Sequence, residues 1–188
     1  MFSFRNKPLS RAVGCVITLA SCVALATPHV PSVSARVLSR VVFSRNGAGP
    51  LTADTKVTRD GLRKLFAGYE IVPVVYSDEG GEARGFEVRR KRTRVLFIHV
   101  DGSRILRVGG YAPEVDSELG VRVGEPLGQI RAKIPSLLCH VDTDYGDGVL
   151  CLSPDLPNLR FRFDTEEKTS PVTMMEWVPP SRPGESAK

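Results

Sequence analysis

The dipeptide Asp101-Gly102, placed between two apolar runs, is the feature that most restricts the fold of this chain. An Asp-Gly pair between β-forming segments favours a two-residue turn whose backbone needs positive φ angles. The flanking runs, 95–100 and 105–108, are rich in Val, Ile and Leu. The sequence therefore predicts an antiparallel hairpin here, and similar short segments on either side extend it into a meander.

Alternation of side chains supports the same reading further along the chain. Residues 159–163 read Leu-Arg-Phe-Arg-Phe, which predicts a strand with one buried face and one solvated face. The other strands are expected at 69–76, 85–89, 119–123, 149–152 and 173–178.

Two short helices interrupt the strands. The first is expected to begin near Thr58 and end at Gly68, with Leu65 and Phe66 facing the core. The second covers 126–134, with its proline at the first helical position. The predicted fold class is therefore α+β, mainly antiparallel β-sheet with one or two short helices.

The net charge narrows the range of partners. The full chain has 26 Lys and Arg against 21 Asp and Glu, but Arg5, Lys7 and Arg11 precede a predicted cleavage site. Removing these three leaves 23 basic residues and a net charge of +2. Nucleic-acid-binding domains keep a basic stripe in their folded part, so we expect no nucleic acid as a partner.

The N-terminus has the layout of a secretory signal: three basic residues, an uncharged apolar run over 12–20, and then Ser21 and Cys22. The segment Leu19-Ala20-Ser21-Cys22 resembles a bacterial lipobox, in which the cysteine becomes the diacylated N-terminus. We therefore predict a signal peptide over 1–21 and lipidation of Cys22.

Other interpretations of the N-terminus remain open. Small residues also allow ordinary signal-peptide cleavage after Ala26 or Ala35. The absence of Asp and Glu before Asp54 is shared with organellar transit peptides, although these lack so apolar a centre. A membrane-spanning helix fits less well, because the uncharged run 12–27 is shorter than the roughly 20 residues that cross a bilayer.

Composition divides the rest of the chain. Residues 22–50 contain Pro, Ser, Gly and Arg without periodicity and are predicted to be a flexible tether. Residues 51–180 are expected to form one mostly-β domain, because this length suits a single core. Residues 181–188 are predicted to be a polar tail.

The cysteines are consistent with export. Of four cysteines, Cys15 and Cys22 belong to the leader, so Cys139 and Cys151 are the one pair within the domain. In an oxidising periplasm this pair is expected to form a disulfide. The alternative is a cytosolic protein with two reduced, buried thiols.

Several short segments resemble the RpoE-regulated lipoprotein family of Gram-negative envelopes. The segments are Leu65-Phe66-Ala67-Gly68-Tyr69, Gly120-Val121-Arg122-Val123-Gly124, the pair Cys139 and Cys151, and Trp177-Val178-Pro179. The resemblance implies an envelope-stress-regulated lipoprotein domain without an assigned biochemical role. It carries over no catalytic residues, and the arginine-containing segment before residue 51 departs from it.

A cluster of acids at 142–148 suggests a calcium loop. Asp142, Asp144 and Asp147 surround glycines, but the third acid is displaced from EF-hand spacing and Ser153 stands where the loop needs Glu. A solvated turn explains the same residues, since Asp and Gly are typical of tight turns. Calcium stays a minor hypothesis, and we expect no cofactor.

His99, Asp101 and Ser103 are close in sequence, as members of a catalytic triad sometimes are. The last two fall at the predicted turn, and the chain has no Gly-x-Ser-x-Gly motif. We interpret His99 as a packed sheet residue and His140 as a neighbour of the disulfide. Zinc is not expected, because no third ligand has suitable spacing.

The densest charge run lies between two predicted strands. It consists of Arg89, Arg90, Lys91, Arg92 and Arg94. Such a run either binds an anionic partner, such as lipid headgroups or an acidic envelope protein, or keeps a hairpin tip solvated.

These observations favour a non-enzymatic lipoprotein of the bacterial envelope, acting as a binding or structural module related to envelope stress. We expect the N-terminal lipid to attach the protein to the outer membrane, with its domain facing the periplasm. The alternative is a soluble periplasmic binding protein or hydrolase without an anchor.

Overall fold

Alternating apolar side chains build one large antiparallel sheet, seen in a computed structural model that describes residues 39–78, 81–142 and 148–181. The strands are β1 Val41–Ser44, β2 Gly47–Ala48, β3 Leu51–Thr52, β4 Glu70–Asp78, β5 Gly81–Arg90, β6 Thr93–Asp101, β7 Arg104–Gly110, β8 Val115–Ser117, β9 Leu138–Asp142, β10 Gly148–Ser153, β11 Leu156–Phe163 and β12 Val172–Trp177. The helices are α1 Arg59–Leu65 and α2 Leu127–Lys133. The predicted α+β class with mainly antiparallel strands is confirmed.

Eight strands form the large sheet in the order β4-β5-β6-β7-β12-β11-β10-β9, and every neighbouring pair is antiparallel. The predicted hairpin joins β6 to β7, but its turn lies one residue later than the Asp-Gly pair predicts. Asp101 pairs with Arg104, so the two turn residues are Gly102, at φ +59°, and Ser103. A positive φ is what glycine tolerates best, so the turn residue and the register agree.

One face of the large sheet carries the core. On β11 the residues Leu159, Phe161 and Phe163 are fully buried, while the arginines between them point to the other face. Trp177 on β12 is also fully buried and lies beside Leu159. The alternation therefore identifies the core-facing side correctly.

Helix α1 closes one part of the core. Thr58 is its N-cap, and its hydroxyl oxygen accepts a hydrogen bond from the backbone N–H of Gly61 at 3.0 Å. Leu62 and Phe66 are buried, as the helical period requires. Leu65 is 37% exposed, so its predicted place on the core face is wrong.

The segment around α2 differs from the prediction in two details. Pro126 occupies the N-cap position, and the first residue of the helix is Leu127. The strand expected at 119–123 is absent, and β8 lies just before it in the chain. Residues Asp116 and Arg122 form only an isolated bridge across a turn that contains Gly120 at φ +71°.

The chain enters the fold earlier than its composition predicts. Strands β1 and β2 fall inside the predicted tether, yet Val41 and Phe43 are buried. Together with β3 and β8 they form a four-stranded sheet in which β1 runs parallel to β8. Gly110 permits this packing, since a Cβ there would lie 2.7 Å from Val115 Cγ1 and 3.1 Å from Phe43 Cζ.

A disulfide joins β9, the edge strand of the large sheet, to its neighbour β10. Cys139 on β9 lies directly opposite Cys151 on β10, and their sulfurs are bonded at 2.02 Å. The predicted pairing is confirmed, although β9 itself was not predicted.

Each described helix has seven residues, and in the described part of the chain none is long and apolar enough to cross a membrane. The predicted signal peptide, Cys22 and residues 182–188 of the tail lie outside the described residues.

Candidate functional site

The side of the large sheet that faces away from the core holds a cavity of about 150 Å³. Six strands contribute to its lining. The lining residues are His99, Arg107, Tyr111, Asp142, Leu150, Arg160, Arg162, Met174 and Glu176. We call this set the outer-face cavity.

Strand register explains why these residues meet. Arg160 on β11 is opposite Glu176 on β12, and Glu176 is opposite Gly109 on β7. Gly109 has no side chain, so the ring of Tyr111 lies over the strand there. A Cβ on Gly109 would be 3.0 Å from the Tyr111 hydroxyl. This glycine therefore makes room for an aromatic wall of the cavity.

Two carboxylates are buried in the cavity, and each faces arginine. Glu176 is 8% exposed, with Arg160 Nη1 at 3.4 Å from Oε2 and Arg107 Nε at 3.7 Å from Oε1. Asp142 is also 8% exposed, and its Oδ2 accepts from Arg162 Nη2 at 2.7 Å. The contacts of Glu176 with Arg160 and Arg107 are longer than those of a charge-assisted hydrogen bond, whereas the contact between Asp142 and Arg162 has the length of one.

Tyr111 lines the cavity and also contacts Arg94, which lies outside the lining. Arg94 lies over its ring, with Cζ 5.2 Å from the ring centroid. Burial raises the pKa of Tyr111 above its ordinary 10.0, and the charge of Glu176 acts in the same direction, while Arg94 and Arg107 oppose the shift. The phenol is therefore a neutral hydroxyl, able to donate a hydrogen bond at physiological pH.

The predicted anion-binding run does not form one cationic patch. Arg89 and Arg94 both contact Glu87, a carboxylate that is 4% exposed, with Arg94 Nη2 at 2.7 Å. Arg90 stacks over Tyr69, with Cζ 5.8 Å from the ring centroid.

The two remaining members of the run occupy the tip of the hairpin. Lys91 and Arg92 are exposed and have φ angles of +48° and +70°. Two consecutive positive angles match the tight turn that joins two antiparallel strands. The run therefore divides into a partly exposed pair of arginines around the buried Glu87 and a solvated turn, and its anion binding stays a prediction.

The three residues considered as a triad separate in the fold. His99 lines the cavity, where its Nδ1 is hydrogen-bonded to the Tyr76 hydroxyl and its ring packs edge-on against Phe97. Asp101 is the last residue of β6 and Ser103 lies in the turn that follows, and both are exposed. His140 is exposed beside the disulfide, as expected.

The calcium hypothesis is only partly visible. Asp142 belongs to β9 and is paired with Arg162, while Asp144 and Asp147 lie outside the described residues. Within the described ranges, no group of three or more His, Cys, Asp or Glu residues is arranged to hold a metal ion.

A second, wider cavity of about 550 Å³ lies between α2 and the loop before it. Its charges hold the fold together: Lys133 contacts Glu125 and donates to the carbonyl of Gly120 at 2.7 Å, and Arg122 Nε donates to Asp116 at 2.8 Å. These cations tie the helix to the loop, which makes this cavity a weaker candidate.

Sequence reasoning missed two pairs of lining residues that are distant from each other in the chain, Arg107 with Tyr111 and Met174 with Glu176. The alternation around Arg160 and Arg162 was the available signal, since it placed both on the outer face. The alternation does not give the strand order, which places β12 between β7 and β11.

Comparisons with known proteins give a fold and no activity. No protein-family model matches the chain. It is similar to the uncharacterized protein YfeY of Escherichia coli strain K12, with 23% identity over 129 residues that make up 68% of each chain. A crystal structure of YfeY from Escherichia coli matches with a TM-score of 0.62 and 21% identity, over 72% of this chain and 98% of that chain. At this identity the likeness shows the fold alone.

Proposed function

We propose that this chain is an exported bacterial envelope lipoprotein of the RpoE-regulated kind, whose β domain is a non-enzymatic binding module. The observation that carries the proposal is the Cys139–Cys151 disulfide between β9 and β10. Disulfides persist in oxidising compartments such as the periplasm and are rare in the cytosol. The bond therefore supports the export that the leader sequence predicts.

The anchor rests on the leader itself. A basic start, an apolar run and Leu19-Ala20-Ser21-Cys22 are the features on which lipoprotein processing depends. A domain attached through Cys22 would face the periplasm, and we place it at the outer membrane. Its expected partners are anionic lipid or an envelope protein.

Binding is favoured over catalysis by the outer-face cavity. Each of its buried carboxylates, Glu176 and Asp142, forms an ion pair with arginine. Of the residues considered as a triad, His99 alone lines the cavity. The arrangement suits recognition of a charged ligand.

The test is the intact mass and membrane fractionation of the protein expressed from its full gene in a Gram-negative host, beside a Cys22→Ala variant. We expect diacylglycerol on Cys22 in the native protein, and an unprocessed or released variant. Cys15→Ala is the matched control, because it removes a leader cysteine outside the lipobox and should leave processing intact.

The second candidate is a soluble periplasmic protein without an anchor. It is favoured by the small residues before Ala26 and Ala35, which suit ordinary signal peptidase. Cleavage after either residue in both the native protein and Cys22→Ala would overturn the lipoprotein proposal and support this candidate.

A further inference from the structure

We propose that the turn between β5 and β6 is a docking surface for anionic phospholipid, at the end of the domain that faces the membrane. The five cations of this turn and its flanks, named here the basic tip, are Arg89, Arg90, Lys91, Arg92 and Arg94. The proposal rests on the lipid anchor proposed above. It adds the orientation of the domain and the residues that contact the membrane.

The two residues of the turn itself are unusual for its backbone. Arg90 pairs with Thr93, so the turn residues are Lys91 and Arg92, with φ angles of +48° and +70°. Such a turn ordinarily takes Asn-Gly or Asp-Gly, because most side chains are strained at positive φ. Turn formation therefore does not explain two long basic side chains at these positions, whereas contact with an anionic partner does.

Lys91 and Arg92 are also the members of the basic tip that are available to a partner. Both are exposed, and in the described part of the chain neither takes part in an ion pair. The other three members contact Glu87 or lie over the ring of Tyr69. The cations that can meet an external anion are thus the two at the turn.

The chain enters the described fold at the same end of the large sheet. Strand β1 begins at Val41, whose backbone N–H donates to the carbonyl of Glu114 at 3.0 Å. Three residues before Glu114, the backbone N–H of Tyr111 donates to the carbonyl of Val95 at 2.9 Å, and Val95 is the third residue of β6. Since β6 begins directly after Arg92, the predicted tether joins the domain at the end that carries the basic tip.

Distances make this end the one nearest to the membrane. Residues 23–38 separate Cys22 from Ser39 and reach roughly 55 Å at most when fully extended. Strand β6 has nine residues, which places the β6–β7 turn roughly 27 Å from the basic tip. Attraction to an anionic surface falls off within about 10 Å, so the end that lies nearest to the bilayer is the one that is attracted.

The surroundings of the turn favour a membrane surface over a pocket-bound ligand. Lys91 and Arg92 line neither the outer-face cavity nor the cavity beside α2. Leu65, 37% exposed at the end of α1, precedes Tyr69 by four residues, and Arg90 lies over the Tyr69 ring. Apolar and basic side chains occur together on surfaces that lie at the boundary of headgroups and acyl chains. A bilayer of anionic phospholipid is therefore the partner that fits this end.

The test uses the full processed chain in nanodiscs that contain a gadolinium-chelating lipid, with backbone N–H signals followed by NMR. In nanodiscs of phosphatidylcholine and phosphatidylglycerol, we expect paramagnetic broadening at Lys91 and Arg92 and none at Gly102 and Ser103, at the other end of β6. The difference should shrink in phosphatidylcholine alone. It should also shrink at high salt, which screens exposed charges.

Two double variants test the turn residues. Lys91→Gln combined with Arg92→Gln should lower the docked population about 25-fold, because each basic residue near an anionic surface contributes a factor of about five. The broadening at the turn should be lost with it. Lys91→Arg combined with Arg92→Lys keeps both charges and should dock like the native protein.

Lys56→Gln combined with Arg59→Gln is the matched control. It removes one exposed lysine and one exposed arginine near the β6–β7 turn, where the backbone N–H of Val57 donates to the carbonyl of Ser103 at 2.8 Å. It should dock like the native protein, and unfolding curves verify that each variant is folded. Equal broadening at the two turns of the native protein, or equal loss of docking in the control and in the Gln variant of the basic tip, would overturn the proposal.

The mass of the processed N-terminus, measured on the same samples, separates the docking surface from the anchor. A lipidated protein with no preferred end in anionic nanodiscs overturns the docking surface alone, and an acidic envelope protein is then the partner to seek. A protein without lipid that still binds phosphatidylglycerol nanodiscs through Lys91 and Arg92 overturns the anchor and supports the docking surface.

Discussion

The two faces of the eight-stranded sheet bury their residues in different ways. The core face buries apolar side chains, such as Phe161 and Trp177, against the helices and the small sheet. The outer face buries three carboxylates, Glu87, Glu176 and Asp142, each next to arginine. One face relies on apolar packing, and the other on neutralised charge.

The comparison of the two faces shows what the alternation of apolar and polar residues along a strand can and cannot predict. A period of two tells which residues share a face. It does not tell whether the second face is wet, because that depends on which long side chains cover it. On this sheet the arginine stems cover acids that composition alone would assign to the surface.

The largest expected effect tests the core face. Phe161→Ala removes a fully buried aromatic ring and should lower the free energy of unfolding by about 3–5 kcal/mol. Urea unfolding followed by circular dichroism measures it. Leu150→Ala, half-buried on the outer face, is the control and should cost less than half as much. Equal losses would mean that the two faces do not differ as described.

The disulfide is the next largest contribution, and it lies where the core face is weakest. Val141 on β9 is 53% exposed, so apolar packing contributes little at this edge. Cys139 and Cys151 are 12 residues apart, and closing such a loop is worth about 3 kcal/mol. Cys139→Ser combined with Cys151→Ala should lose about that amount in urea unfolding. Reducing the native protein should reproduce the loss, and a stability insensitive to reductant would contradict it.

The fold was largely predictable, because local signals agreed with one another. The Asp101-Gly102 pair, the Thr58 cap and the alternation through Phe161 each specify their element from neighbouring residues. The three-dimensional structure added strand order and lengthened the strands around these signals.

The missed parts depend on distant partners. Strand β1 has only four residues, and its burial comes from β8 and Gly110, some 70 residues away. The outer-face cavity likewise joins Arg107 to Glu176 across a strand pairing that no local pattern encodes. Sequence reasoning located Arg160 and Arg162 on the correct face but not the acids and aromatic rings around them.

A third experiment sharpens the account of the outer face. Replacing Arg89 and Arg94 together with Gln leaves Glu87 buried without its cations, which should cost about 1–3 kcal/mol. Glu87→Gln should cost less, because the two arginines are partly exposed and water can solvate them. Differential scanning calorimetry measures both variants. A larger loss for Glu87→Gln would show that the arginines, and not the acid, are the groups that need pairing.

The smallest effect concerns Tyr111 and appears only in alkali. Because its pKa in the folded protein lies above the ordinary 10.0, the folded state keeps a proton that the unfolded chain releases. The free energy of unfolding must then fall as the pH rises from 10.0 through the folded-state pKa. Tyr111→Phe cannot ionise, so the native protein should lose stability relative to this variant in that window and not at neutral pH.

Tyr69 provides an internal comparison for this last prediction. Its pKa is also raised by burial, but it lies away from the outer-face cavity, beneath Arg90. Tyr69 is present in both the native protein and Tyr111→Phe, so the difference between their unfolding free energies isolates Tyr111. A difference that stays constant from neutral pH to strong alkali would show that Tyr111 is as well solvated in the folded protein as in the unfolded chain. The outer face would then be the wet surface that simple alternation predicts.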